Sequence, residues 1–317
     1  MSEFKEVQWA EIYRPKRVED CILPTYIKKT FQNFVDTKEV PNLLLTGPSG
    51  TGKSTVAWAA LEELGCEYVT INGSLYGNID TLRNEIKTFA SSLSLYGEGR
   101  KFVILDEADF LNPNSTQPAL RNFMEEYSAL CGFILTCNYS SKILDALRSR
   151  CATIEFKTPQ SEKKTLMAQF LKRVMFICAA EGVKADKATV AAVIQKYYPD
   201  WRRTIHELQL YQMATGGVID SGILANFTDT NITNLVKMIK DKNFTESRKW
   251  IIEHSDIEPV ELFKTLYDKA NELMEPKDVP ELVDVLAKYQ YQSAFVPVQE
   301  INTAACIIEI MKRCRFK

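Results

Sequence analysis

The sequence predicts an α/β protein, a five-stranded parallel sheet followed by two all-helical regions. Three observations carry this. Short apolar runs near 42–46, 67–72, 102–105, 131–138 and 151–156 alternate with stretches of helical spacing, the pattern of a parallel sheet with helices on its faces. A glycine-rich segment at 47–54 separates the first run from a helix. Beyond Thr158-Pro159 only helical spacing recurs, to the end of the 317 residues.

Length suggests two or three domains. At 45% hydrophobic and 25% charged, the chain is ordinary globular protein. No apolar run approaches the ~20 residues of a membrane helix. The first residues, Met1-Ser2-Glu3-Phe4-Lys5-Glu6, lack the apolar core of a signal peptide, so a cytoplasmic protein with no membrane partner is expected. The eight cysteines form no C-x-x-C pair and mostly sit in apolar runs, which reads as buried free thiols rather than disulfides or a zinc module. Net charge is −2 and the sequence pI is about 5.9. Bulk charge therefore does not advertise nucleic-acid binding; contact with DNA would need a local basic face or helix N-termini.

Gly47-Pro48-Ser49-Gly50-Thr51-Gly52-Lys53-Ser54 fits G-x-x-x-x-G-K-[ST]. Asn42 to Thr46 reads as a strand before it, and Val56 to Leu64 as a helix after it. Glycines let backbone N–H groups turn toward phosphate oxygens, and the helix N-terminus adds positive potential. Lys53 is expected to reach the β- and γ-phosphates of ATP, and the Ser54 hydroxyl to ligate Mg²⁺. Thr55 completes the expected nucleotide-binding run.

Upstream, Pro15 fixes Tyr13-Arg14-Pro15 in an extended turn. This is either a surface arm or, with Ile22, one wall around an adenine ring. Residues 26–37 read as a helix, and 67–72 as a second strand. Asp80 is expected to cap a helix through Leu82, Ile86 and Phe89, with Arg83 and Lys87 on its polar side; a solvated face is the simple reading. Phe102-Val103-Ile104-Leu105 ends in Asp106-Glu107-Ala108-Asp109. A fully apolar strand ending in two acids places Asp106 to hold Mg²⁺ and Glu107 to deprotonate an attacking water. The same four letters occur in helicases, but no second half of that kind is visible.

Ser115 or Thr116 is expected to cap the next helix, which carries Leu120, Phe123 and Met124. Cys131 to Asn138 reads as a fourth strand; Asn138 is either a turn residue or a ligand of the γ-phosphate or its water. Leu147 to Phe156 passes from a helix end into a fifth strand. Arg148 and Arg150 there form a solvated face or serve as arginine fingers for a neighbouring subunit.

Helices follow over 161–181, from Asp186 to about Tyr197, and from Asp200-Trp201-Arg202-Arg203 to Gly216. Arg202 lies in a first turn, where the helix dipole disfavours a cation unless an anion is near. Further helices are expected at 231–241, 245–254, 257–274, 278–292 and 297–314, the last with Val298, Ile301, Ala305, Ile308 and Met311 on one face. This bundle has no site chemistry and suggests an assembly domain.

Together these features resemble the sliding-clamp-loader branch of the AAA+ ATPases, which includes replication factor C small subunits and the large subunits of T-even-type phage loaders. The resemblance is strong over about 10–210. Tyr13-Arg14-Pro15 matches the adenine-side motif, 47–54 the Walker A and 105–109 the Walker B motif. Thr136-Cys137-Asn138 matches sensor 1, and Ser149-Arg150-Cys151 the family's Ser-Arg-Cys element, making Arg150 the finger that acts in trans. Asp200 to Arg203 resembles sensor 2, with Arg202 at the γ-phosphate.

The resemblance implies a nucleotide-binding domain over 1–157, a helical lid over 158–226 and a helical collar over 227–317. It implies an ATP- and Mg²⁺-dependent ATPase that opens a sliding clamp and loads it on primer–template DNA. The assembly would be a heteropentamer of several copies and a distinct small subunit, in a host cytoplasm if the protein is a phage's. DNA contacts map near Asn78, Ile79, Arg83, Thr116 and Gln117; Asn78 departs from relatives that often carry a basic residue there. The rival readings are a non-hydrolysing scaffold subunit, another AAA+ DNA motor, and a small-molecule kinase.

Overall fold

A computed structural model describes residues 8–74, 79–92, 100–225, 228–253 and 259–316. The chain forms two compact units, Met1–Leu224 and Ala225–Lys317. The first is built on a sheet of β1 (Leu43–Thr46), β2 (Tyr68–Asn72), β3 (Lys101–Asp106), β4 (Cys131–Cys137) and β5 (Ala152–Glu155). The order is β2-β3-β4-β1-β5, and all pairings are parallel. The expected five-stranded parallel sheet is thus present.

Alternation along each strand divides the core. Leu43, Leu45, Phe102, Ile104 and Ile134 pack on one face with Ile27 and Phe31 of α1 (Thr25–Thr37) and Val56 and Leu61 of α2 (Lys53–Leu64). Leu44, Val103, Leu105, Phe133 and Leu135 pack on the other. Their partners are Leu82 and Ile86 of α3 (Ile79–Ser91), and Leu120 and Phe123 of α4 (Thr116–Glu126). Burial on both faces explains why these strands read as unbroken apolar runs. Most cysteines are buried, Cys137 and Cys178 among them.

One expected helix start is displaced, and one expected N-cap makes no capping bond. α3 begins at Ile79, so Asp80 lies inside it. Neither Ser115 nor Thr116 caps α4 with its side chain. Asn112 organises the start from further back: its Oδ1 accepts the N–H groups of Asn114 and Ser115, and its carbonyl those of Thr116 and Gln117.

α5 (Gln160–Ala180), α6 (Lys187–Tyr197) and α7 (Trp201–Thr215) complete the first unit. Asp186 caps α6 and Asp200 caps α7, each accepting an N–H three residues on.

The second unit holds α8 (Thr228–Lys240), α9 (Phe244–Glu253), α10 (Pro259–Asp268), α11 (Val279–Ser293) and α12 (Gln299–Arg313) around one apolar cluster. The apolar face read from the sequence is buried only in part, at Met311 and, packed against the cluster, Ala305. Ile301 is 70% exposed and Val298 48%, whereas Cys306, Ile307, Ile310 and Met311 are buried. The buried stripe also includes Asn302, whose Nδ2 donates to the Tyr289 carbonyl at 3.1 Å inside the core. Glu309 fixes the α11–α12 pair from outside, accepting from Lys288, Tyr289 and Arg313. These donors hold its carboxyl down at about 2.

The two faces of α12 are separable by substitution. Ile310→Ala is expected to cost about 2–5 kcal/mol in urea denaturation, and Ile301→Ala to stay within about 0.5 kcal/mol. The reverse order would restore the face read from the sequence.

Candidate nucleotide-binding site

β1 ends at Thr46, and the chain turns at once through three positive-φ glycines, Gly47, Gly50 and Gly52, into α2. The strand lies between β4 and β5, at the carboxyl edge of the sheet where open α/β folds place ligands. Lys53, the first residue of α2, is 8% exposed. Its Nζ donates to the carbonyls of Gly47 at 2.7 Å and Pro48 at 2.8 Å, and to Asn138 Oδ1 at 3.2 Å. Burial depresses the lysine's pKa, Asp106 and Asp109 act against this, and Arg202 adds to it. The result is a buried ammonium held by neutral oxygens at the mouth of a helix N-terminus, a strong attractor for an anion.

Asp106 ends β3 beside this lysine. Its Oδ1 accepts from Ser54 Oγ at 2.6 Å and Thr136 Oγ1 at 2.5 Å. A hydroxyl and a carboxylate so close together suit Mg²⁺, a hard cation that takes oxygen ligands. Glu107 follows with φ 57 and ψ 42, a left-handed conformation uncommon outside glycine. Such strain collects at functional sites. Its N–H donates to Thr136 Oγ1 at 3.2 Å, so β4 supports the turn.

One cavity is lined by Tyr13, Arg14, Pro15, Ile22, Ser49 to Thr55, Asp106, Glu107, Asn138 and Arg202. It gathers most of the residues singled out in the sequence. Gly47 and Pro48 do not line it; they act through the carbonyls that anchor Lys53. Cys21, Leu23, Phe170, Ile177 and Trp201 add apolar lining to it. Burial pushes the Cys21 thiol up to about 12, so it stays neutral. Tyr13 donates its hydroxyl to Glu181 at 2.6 Å and takes Arg173 on its carbonyl at 2.9 Å. Both bonds tie the arm to α5 and the residue that follows it.

Arg14 divides its role. Its chain borders the cavity, but its guanidinium lies 3.9 Å from the centre of the Trp58 ring and pairs with Glu11. The head group therefore clamps the arm to α2. Sequence reasoning missed Thr136 as a support of Asp106, and Asp109, whose Oδ2 accepts the N–H groups of Asn138 and Tyr139 at 3.3 and 3.4 Å. The acid in the Walker B run and the threonine in sensor 1 were the available signals.

Arg150 stands apart. It precedes β5 at the edge where Ala152 pairs with Leu43, the first residue of β1, whereas the cavity opens beyond the last, Thr46. The three steps from Leu43 to Thr46 put roughly 10 Å between these edges. Arg150 is held there by Glu125 and the Ala146 carbonyl.

The expected DNA set needs correction. Thr116 and Gln117 are each 1% exposed. Gln117 Nε2 donates to the carbonyls of Leu111 and Lys142, and its Oε1 accepts the Leu144 N–H. Neither side chain meets a strand of DNA from inside the core. Arg83 is exposed over the Phe123 ring. Asn78 lies outside the described residues, as does the Ile79 side chain.

α7 closes on the phosphate loop. Trp201 N–H donates to the Gly50 carbonyl at 3.1 Å, and a Cβ on Gly50 would fall 1.8 Å from Asp200 Oδ1. Gly50 also has φ 68. Gly50→Ala is therefore expected to cost about 1–3 kcal/mol, read by thermal or urea denaturation. Unchanged stability would mean that α7 does not pack there.

A family model described as sliding-clamp-loader large subunit, AAA+ ATPase lid domain, matches residues 162–225. A model of the ATPase family associated with various cellular activities (AAA) matches 43–159. The sliding-clamp-loader large subunit of Escherichia phage RB69 is 38% identical over 241 residues, 74% of each chain. The protein of the same name from Enterobacteria phage T4 matches to the same extent, 38% over 241 residues, 74% of each chain. The replication factor C small subunit of Archaeoglobus fulgidus is 35% identical over 250 residues, 76% of each. Among solved structures, the Thermotoga maritima RuvB Holliday junction branch migration motor aligns with a TM-score of 0.53 at 18% identity, over 80% of this chain and 85% of that one. At such identity the likeness speaks for the fold alone. With its AAA+ core, its lid and relatives of this identity and coverage, the chain belongs to the sliding-clamp-loader family of AAA+ ATPases.

Proposed function

We propose that the chain is the ATPase subunit of a DNA-polymerase sliding-clamp loader, which uses ATP binding and hydrolysis to open a clamp and load it at a primer–template junction. One observation carries the reading. The cavity gathers a phosphate loop, a lysine, a carboxylate pair and a lid arginine, while Arg150 stands at the far edge of the sheet. An arginine so placed serves a neighbour's nucleotide, not its own.

In this reading the adenine lies between the Tyr13–Ile22 arm and Trp201, and the phosphates lie over the N-terminus of α2. Lys53 exchanges its carbonyl partners for β- and γ-phosphate oxygens. Ser54 and Asp106 would hold the nucleotide's Mg²⁺, which neutralises phosphate charge. Glu107 accepts the proton of the attacking water, and Asn138, already on Lys53, orients that water or the γ-phosphate. Arg202 reaches the γ-phosphate from the lid. Since α7 is bonded to Gly50, the nucleotide sets the lid's position. Arg150 of the adjacent copy completes the charge stabilisation.

The second unit is assigned to assembly, in a heteropentamer of several copies and a distinct small subunit, in the cytoplasm. The proposed DNA contact narrows to Arg83 and the neighbouring Asn78–Ile79 segment. Few cations suffice where helix N-termini and backbone groups hold phosphates.

The test is steady-state ATPase activity of the chain co-expressed with its partner subunits, with primer–template DNA and clamp added separately and together. Synergistic stimulation is expected, with loss of at least ~10²-fold in Arg150→Ala. Stimulation by DNA alone, indifferent to clamp and junction, would point to a different DNA motor. Glu107→Gln is expected to lower turnover by about 10²–10⁴-fold with ATP affinity nearly unchanged. Full turnover in that variant would favour a scaffold subunit, whose activity resides elsewhere.

A further inference from the structure

Arg150 is not a loose side chain. Its Nε donates to Glu125 Oε1 at 3.0 Å, its Nη2 reaches the same oxygen, and its Nη1 donates to the Ala146 carbonyl at 2.7 Å. Glu125 belongs to the last turn of α4 and Ala146 to the short helical turn Asp145–Arg148. Two elements, 25 residues apart in one case, thus fix one guanidinium. Arg148 shows the contrast. It pairs only locally, with Asp145 three residues back, and 96% of that carboxylate's side chain is exposed.

The donor count matters. A guanidinium has five N–H groups in a rigid planar fork. Three are used here, which leaves one on each Nη. Those two form the end that meets a phosphate bidentately. Glu125 therefore occupies one edge of the fork and leaves the working end open. Hydrogen bonding from Arg150 holds the Glu125 carboxyl below its usual range, so the acceptor stays ionised under working conditions. The pair is partly exposed, with side-chain exposures of 33% and 54%, so a docking copy can reach it.

We infer that Glu125 is the positioning residue of the trans-acting arginine, holding the Arg150 guanidinium with its free end presented to the adjacent subunit's γ-phosphate. The inference rests on the reading of Arg150 as that finger. It also gives α4 a second role. The helix that packs the sheet through Leu120 and Phe123 carries, at its end, the residue that aims the neighbour's catalyst.

The experiment uses the assembled loader with saturating primer–template duplex and clamp, titrated with ATP. Glu125→Ala is expected to lower kcat by about 10–100-fold, the cost of a misplaced group, and to leave KM for ATP nearly unchanged. Glu125→Gln keeps a carbonyl acceptor for Nε and should recover most of the rate. Added to Arg150→Ala, Glu125→Ala should cost nothing more, because it acts through that arginine. Three results overturn the inference. The first is an unchanged or higher kcat in Glu125→Ala while Arg150→Ala abolishes turnover, the mark of a brake or a bystander. The second is a loss that adds in full to that of Arg150→Ala, the mark of a general structural defect. The third is full turnover in Arg150→Ala itself, which removes the finger and this inference together.

Discussion

The position of Lys53 is the constraint on which the first unit is organised. A buried ammonium must find acceptors, and the acceptors here come from separate parts of the chain. Gly47 and Pro48 stand on the turn after β1, and Asn138 on the turn after β4. These strands are neighbours in the sheet, paired from Leu43 with Ile134 to Thr46 with Cys137. The lysine can be satisfied only when that register is right. Burial still lowers its affinity for a proton. Neutral carbonyls hold the charge without cancelling it, and this leaves the site tuned for phosphate.

A second layer of contacts turns this local arrangement into a connected one. Asp106 is shared by Ser54 on α2 and Thr136 on β4, and Thr136 also receives the N–H of the strained Glu107. Asp109 takes the backbone of Asn138 and Tyr139. A shift of any one of β1, β3 or β4 would therefore be felt at the phosphate loop. α7 joins this frame from outside the sheet, through Trp201 and Gly50. Gly50 has to be a glycine twice over, for its positive φ and for the space that Asp200 fills.

The parts legible in the sequence were those where one physical requirement dominates. Two-faced burial writes an apolar run in β1, β3 and β4, and the edge strands β2 and β5 show β-branched content instead. Phosphate cradling writes glycines at fixed spacing, and helix N-caps at Asp186 and Asp200 write their own letter. Where two requirements competed, the sequence misled. α12 has apolar residues on two stripes, and the buried one also carries the polar Asn302 and Thr303, the first paired with the Tyr289 carbonyl. Thr116 and Gln117 looked like surface polar residues at a helix start, but the start is organised by Asn112, which turns both inward. Arg14 looked like part of the adenine wall, yet its cation is drawn to the face of Trp58. Each miss is a polar group whose partner periodicity cannot register.

The proposed division of the chemistry between copies would follow from strand direction. In a parallel sheet every strand ends at the same edge, so the groups after β1, β3 and β4 converge on one cavity. Arg150 comes before β5 and is placed at the opposite edge by the same rule. No side-chain rearrangement short of breaking the β1–β5 pairing brings it round, because an arginine side chain spans less than the roughly 10 Å of strand between the two edges. Under the proposed function the incomplete site is thus a property of the topology, and assembly would be the route by which such a chain gains a second cation at its phosphates. That also explains why the arginine is worth holding still in a single copy. A finger that must act on another molecule has no cavity of its own to shape it, and Glu125 with the Ala146 carbonyl supplies from within the chain the orientation that the substrate would otherwise have to impose.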